Sequence, residues 1–120
     1  MQKLAKREEQ IMQAYWKLGK AFIKEIITEL PEPKPHYNSV ATMVRILEEK
    51  GFLGHESFGN TFRYFPVITK EAYQKHAVGD IVKQYFNNSY PSMLAYFAKE
   101  QKISKEEMNE ILEIIKSQKK

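Results

Sequence analysis

The chain has 120 residues, 42% of them apolar, a formal net charge of +4 and no cysteine, with a mean hydropathy of −0.56. This fits one globular unit or a small domain with an appendage, and no run nears the ~18 consecutive apolar residues of a membrane span. The charged opening MQKLAKREEQ has no apolar stretch of the kind a secretory signal needs. The missing cysteines exclude disulfides and thiolate metal sites and suit a reducing cytoplasm. Residues 1–69 carry 10 basic and 8 acidic side chains, and residues 70–120 carry 9 and 7. The mild preference for polyanions is therefore spread over both halves.

A first helix is expected over residues 3–18, burying Leu4, Ile11, Met12, Tyr15 and Trp16 and stopping at Gly19. A second follows over residues 21–30, burying Phe22, Ile23, Ile26, Ile27 and Leu30. Pro31, Pro33 and Pro35 then make a stiff extended connector. The third helix starts between His36 and Ser39. Val40, Met43, Val44 and Leu47 form its buried stripe, while Asn38, Thr42 and Arg45 share another face. Lys50 and Gly51 close it, a cation near the carbonyl end and a glycine where left-handed backbone is easiest.

Two β-prone runs come next, residues 52–57 and 61–67, turned at Phe58-Gly59-Asn60. Helix, glycine stop and hairpin in this order is what a winged-helix DNA-binding unit requires, with a recognition helix for the major groove and a wing for the backbone. Thr69 opens a fourth helix that runs to about Phe86, with Glu71 in its first turn. Asn87-Asn88-Ser89 breaks it and Pro91 opens a fifth helix through Lys99. The last helix carries a capping box from Ser104 to Glu107, with Met108, Ile111, Leu112 and Ile115 at helical spacing behind it.

With LAKREEQIMQAYWKLGKAFIKEII at the N-terminus, the stretch from His36 to Pro66 resembles the BlaI/MecI/CopY family of bacterial transcriptional repressors. The residues that carry the resemblance are Glu9, Ile11, Met12 and Trp16 in the first helix. Ser39, Val40, Thr42, Leu47, Lys50 and Gly51 carry it in the third, and Tyr64 and Pro66 at the close of the wing. The resemblance implies a mainly α fold with a small β-wing: a winged helix-turn-helix over residues 1–68, then a three-helix dimerisation region over residues 69–120. One departure stands out. Family members tend to have arginine immediately before the leucine, whereas here Ile46 holds that place and Arg45 lies about 100° away around the helix. The arginine contact does not transfer, and Ile46 is left to touch a thymine methyl or to pack.

Candidate base contacts are Asn38, Ser39 and Thr42, with Arg45 at a base or phosphate. The plainer reading of these residues is a solvated face with Asn38 or Ser39 acting only as a cap. Asn60 and Arg63 in the wing are candidate phosphate ligands, and Lys50, His55 and His36 candidate backbone contacts. Each true phosphate contact steepens the log–log salt dependence by about one unit.

The tail is aromatic-rich, and some fifty residues of short helices cannot cover that much apolar surface by themselves. A second copy can, and two-fold closure gives paired recognition helices the spacing of a palindromic operator. The expected interface comprises Tyr85, Phe86, Tyr90, Met93, Leu94, Phe97, Met108, Ile111, Leu112 and Ile115. The competing arrangement folds the tail onto its own winged helix. In β-lactam-responsive relatives proteolysis inactivates the repressor, which implies a membrane sensor-protease as a partner. The position aligned with the cleaved bond is Tyr96-Phe97. The cysteine cluster of copper-responsive relatives is absent.

His36, His55 and His76 are scattered, so no metal site is expected, and no cofactor. There is no G-x-S-x-G, no glycine-rich phosphate loop and no cysteine nucleophile. The chain therefore reads as a cytoplasmic homodimeric repressor on an inverted-repeat operator of double-stranded DNA, not an enzyme and not inserted in a membrane. A winged helix used as a protein–protein adaptor is the alternative left open by the even charge.

Overall fold

A computed structural model describes residues 1–118. Helix α1 (Lys6–Leu18) begins where Glu8 reaches back to accept a hydrogen bond from the Ala5 N–H at 2.9 Å. The same device opens α2 (Ile23–Thr28), where Glu25 accepts from the Phe22 N–H at 2.8 Å. Ala5 and Phe22 have no polar side chain to cap with, so a glutamate in the first turn does that work. Both helices are shorter than their hydrophobic period predicts. The second loses its start because Ala21 is drawn into a β-bridge with Tyr64, the two residues exchanging N–H···O bonds of 2.9 and 3.0 Å. Extended backbone at Ala21 cannot also be helical. At the other end Lys34 donates to the carbonyls of Thr28 and Leu30, a cation placed on orphan acceptors.

Helix α3 (Tyr37–Glu49) ends as its last residues predict. Gly51 adopts φ 85°, the Gly51 N–H donates to the Glu48 carbonyl at 3.0 Å, and the Phe52 N–H to the Leu47 carbonyl at 2.9 Å. That is the paired-bond glycine stop of a Schellman motif. Strands β1 (Leu53–Phe58) and β2 (Thr61–Pro66) pair antiparallel, Phe58 opposite Thr61 and Leu53 opposite Pro66. The loop is therefore two residues, Gly59-Asn60, with Gly59 at φ 63° in the first central position. This is one residue tighter than the three-residue turn expected, so Phe58 belongs to the strand.

Ile11, Met12, Tyr15, Ile26, Val40, Val44, Leu47 and Phe52 have no solvent exposure and form the centre of the core. Val40, Val44 and Leu47 lie at i, i+4 and i+7, so α3 is seated on α1 and α2 along one stripe. Each such side chain contributes roughly 1.5–3 kcal/mol on burial. Trp16 is only partly buried. Its indole N–H donates to the Ile68 carbonyl at 2.9 Å, and its ring meets Tyr73 at 5.6 Å. The Ala72 N–H donates to the Thr69 hydroxyl at 3.1 Å, which caps α4 (Lys70–Tyr85) as expected.

By packing, the chain divides into two compact units, Met1–Ala77 and Val78–Lys120. The expected border after residue 68 follows the change in secondary structure; the packing adds residues 69–77 to the winged helix. Tyr73 explains why: it is buried against Phe52 and donates its hydroxyl to Glu9. In the second unit Asn87 and Asn88 take left-handed backbone after α4. Ser89 accepts from the Ser92 N–H at 3.1 Å to cap α5 (Tyr90–Lys99). Ser104 and Glu107 exchange hydrogen bonds of 3.0 and 2.8 Å at the start of α6 (Lys105–Gln118), the reciprocal box read from the sequence. Among the described residues, no helix is long and apolar enough to cross a membrane.

Candidate nucleic-acid interface

The outward face of α3 and the tip of the hairpin enclose a cleft of about 310 Å³. Ile23 and Ala41 lie in its lining with Tyr37, Asn38, Thr42, Arg45, Asn60, Thr61, Phe62 and Tyr64. Four candidate contacts from two separate segments, Asn38, Thr42, Arg45 and Asn60, therefore share one surface, and all four are exposed. His36 is the N-cap residue of α3 and makes no side-chain cap bond, so Asn38 and Ser39 lie within the helix rather than capping it. Both side chains are exposed. Thr42 spends its hydroxyl proton on the Asn38 carbonyl at 3.0 Å, which leaves it a lone-pair acceptor and a methyl group to offer. Ile46 is 38% exposed one position beyond Arg45.

Two of the expected cations are engaged by the fold. Lys50 lies at the far end of α3, about 18 Å along the axis from Asn38, and donates to Glu8 at 2.9 and 3.1 Å. Burial pushes the Glu8 carboxyl up, but the Ala5 N–H and the Lys50 ammonium outweigh it and hold the group below the usual range. Arg63 donates from Nε and Nη2 to one Glu56 oxygen at 3.0 and 2.7 Å. Its guanidinium also lies over the rings of Phe58 and Phe22, at 5.2 and 5.9 Å. Strand alternation accounts for this: Phe62 and Tyr64 face the cleft, so Arg63 between them points to the opposite side of the hairpin. Hydrogen bonds from Arg63 and Lys20 hold the Glu56 carboxyl low.

Sequence reasoning missed Tyr37, Thr61 and Phe62 as walls of the cleft. The available signal was period two along β2, which places residues 62 and 64 together once Tyr64 is taken as the inward anchor. It also missed the contact between His55 and Glu48, where Nδ1 and Oε2 are 2.5 Å apart. That contact joins the wing to the recognition helix, and no local pattern reveals it. Burial pushes the Tyr15 phenol well up, and its hydroxyl has no hydrogen-bond partner among the described residues. Among the described residues no group of histidine and carboxylate side chains is placed to hold a metal ion.

The sequence profile of the penicillinase repressor family matches residues 4–117. The chain belongs to that family. A curated relative, the penicillinase repressor of Bacillus licheniformis, is 28% identical over 113 residues, 93% of this chain and 88% of its own. A solved CopR repressor structure is 29% identical and covers 56% of this chain and 99% of its own, with a TM-score of 0.47. This repressor is thus a regulator of transcription, not an enzyme, and its winged helix is the part of the fold suited to DNA. Its apolar second unit is described by the same family profile, which extends through residue 117.

Proposed function

We propose that two copies of this chain join through their second units and place two α3 helices in successive major grooves of an inverted-repeat operator. The observation that carries the reading is the cleft itself. Asn38, Thr42, Arg45 and Asn60 converge on an exposed surface directly above a stripe of fully buried aliphatic residues. Base reading then falls to Asn38, suited to an adenine edge, and to Thr42, suited to a thymine methyl or an amino group. Arg45 takes a guanine or a phosphate, and Asn60 a phosphate at the wing. Ser39 and His36 flank them at the start of α3, whose first turn holds no acidic residue to repel the DNA backbone. Lys50 and Arg63 remain with Glu8 and Glu56 and serve the fold.

Support for the dimer is apolar surface left uncovered within one chain. Tyr85 is 73% exposed, and Tyr90, Leu112 and Ile115 are about half exposed. Phe86, Met93, Leu94, Phe97, Met108 and Ile111 are half-buried. Such a surface rimmed by charge marks an interaction site. Joining the half-sites makes them bind as one ligand, so losing the second unit weakens operator occupancy without touching a DNA contact. Cleavage at Tyr96-Phe97, in α5, by a sensor-protease would release the operator in this way within the bacterial cytoplasm.

The test is an electrophoretic shift with the DNA upstream of the protein's own gene, across a salt series. Thr42→Ala combined with Arg45→Ala should abolish specific binding, each base contact being worth about 1–3 kcal/mol, with the helical content and dimer retained. Survival of affinity and sequence preference in that variant refutes the contact assignment. The absence of any salt-sensitive complex at micromolar protein refutes operator binding and favours an adaptor.

A further inference from the structure

The base of the wing is fixed by the Ala21–Tyr64 bridge, and one further side chain ties the wing to α3. His55 on β1 has its Nδ1 2.5 Å from Oε2 of Glu48 on α3, and its ring lies 4.4 Å from Phe62 and 5.6 Å from Tyr64, both on β2. Phe62 is 47% exposed and forms a wall of the cleft next to Arg45 and Asn60. An exposed phenylalanine near a two-residue turn has few rotamer constraints of its own. Here its ring meets the His55 ring at a tilt of 39° and the Tyr64 ring edge-on at 6.4 Å, and His55 in turn contacts a residue of the recognition helix. The chain Glu48, His55, Phe62 therefore crosses from α3 to the wing tip outside the buried core. We propose that His55 is a positioning residue for operator binding: it clamps the wing tip to the recognition helix, so that the width of the cleft, and with it DNA affinity, follows the protonation of this histidine.

The chemistry sets the direction. A neutral imidazole offers one N–H, whereas the protonated ring donates from both nitrogens and turns its contact with the Glu48 carboxylate into an ion pair. Among the described residues, the other charged or titratable groups on this side are Arg45 and Tyr37 on α3 and the Tyr64 phenol on β2. Glu56 and Arg63 lie on the opposite face of the hairpin and neutralise each other. Protonation tightens the clamp, so operator affinity rises when the His55 ring gains its second proton. A second effect has the same sign, because a cation beside the cleft attracts phosphates. The role of Glu48 separates the two. If His55 acted only as a phosphate cation, removing the Glu48 charge would strengthen DNA binding. If it acts by positioning, removing that charge weakens binding.

This inference rests on the cleft receiving DNA, and the experiment keeps the two apart. Binding of the full chain to its own upstream DNA is measured by fluorescence anisotropy from pH 5.5 to 8.5 at constant ionic strength, with His55→Gln, Glu48→Gln and His36→Gln. The expected result is a gain of roughly tenfold in wild-type affinity toward low pH, the worth of one charge-assisted hydrogen bond. That gain should be flattened by His55→Gln, and by Glu48→Gln together with a lower affinity at pH 6. Hydrogen exchange of the amides of residues 57–62 should quicken in both variants without DNA, at unchanged helical content. A gain that persists in both variants, that vanishes with His36→Gln instead, or that accompanies tighter binding by Glu48→Gln overturns the positioning role while leaving operator binding intact. No complex at any pH overturns the DNA reading and this inference with it.

Discussion

The two units of this chain use similar composition to opposite ends. In residues 1–77, hairpin and helices α1 to α3 close over a core whose central side chains have no exposure. In residues 78–120, Val82 alone is buried among the described residues, and tyrosines and aliphatic residues lie open along three helices. The difference teaches what each needs for stability. Three helices and a hairpin can surround an interior, whereas three short helices have too few neighbours to bury all their apolar side chains among themselves. The first unit closes a core of its own, and the second leaves exposed the apolar side chains that the proposed dimer would cover.

The sharpest way to break that contrast is a matched pair of truncations. Leu47→Ala, at a site with no exposure, should cost about 2–5 kcal/mol at any protein concentration. Leu112→Ala, at a site 48% exposed in the single chain, should leave the dilute chain near wild-type stability and lower its melting temperature only at concentrations where dimers form. Thermal melts over a hundredfold concentration range check both. Equal, concentration-independent losses would erase the distinction between the units.

A smaller effect is expected from the Lys50–Glu8 pair, whose side chains are 24% and 10% exposed. Lys50→Ala leaves a nearly buried carboxylate supported only by the Ala5 amide and should cost about 1–3 kcal/mol. The sign of its pH dependence follows from the lowered Glu8 pKa. The stabilisation is present above the ordinary glutamate range and lost as pH falls through the folded value. The variant should therefore lose part of the acid sensitivity of unfolding, seen as a flatter stability profile below about pH 4.5, the unperturbed value.

The smallest effect concerns Tyr73, which pins the start of α4 to the first unit. Burial first, and then its bond to Glu9, push the phenol up to about 12. A folded value above the unfolded one gives stability that is complete below pH 10 and lost as pH climbs toward 12. Tyr73→Phe should keep the ring contacts with Trp16 and Phe52, shift neutral stability by about 1 kcal/mol, and remove that part of the alkaline slope. Circular dichroism at pH 8 and pH 11 checks it.

Much of this was legible in the sequence, for identifiable reasons. The stripe of Val40, Val44 and Leu47, the Lys50-Gly51 stop and the Ser104–Glu107 box are local patterns whose partners lie within a few residues. The hairpin announced itself by glycine between β-prone runs, although its turn proved one residue tighter. The resemblance to known repressors was readable because it depended on spacing, and the match over residues 4–117 agrees with it. What was not legible depends on residues far apart in the chain. Their places on the helix and in the wing offered Lys50 and Arg63 to DNA, yet Glu8 lies 42 positions from the first and Glu56 seven from the second, across a turn. The shortened α2 depends on a bridge to Tyr64, and the His55 contact on how the wing folds back to α3.

By itself, then, the sequence determined which segments are helical, where most of them stop, and that a polar-faced helix precedes a wing. Those outcomes follow from backbone propensity and the alternation of apolar and polar side chains. Only the tertiary structure decided which polar residues remain exposed for a partner and which are taken up inside the fold. Hydrogen bonds and ion pairs between distant residues form only when packing brings their atoms within about 3 Å, and nothing in the local pattern encodes that distance.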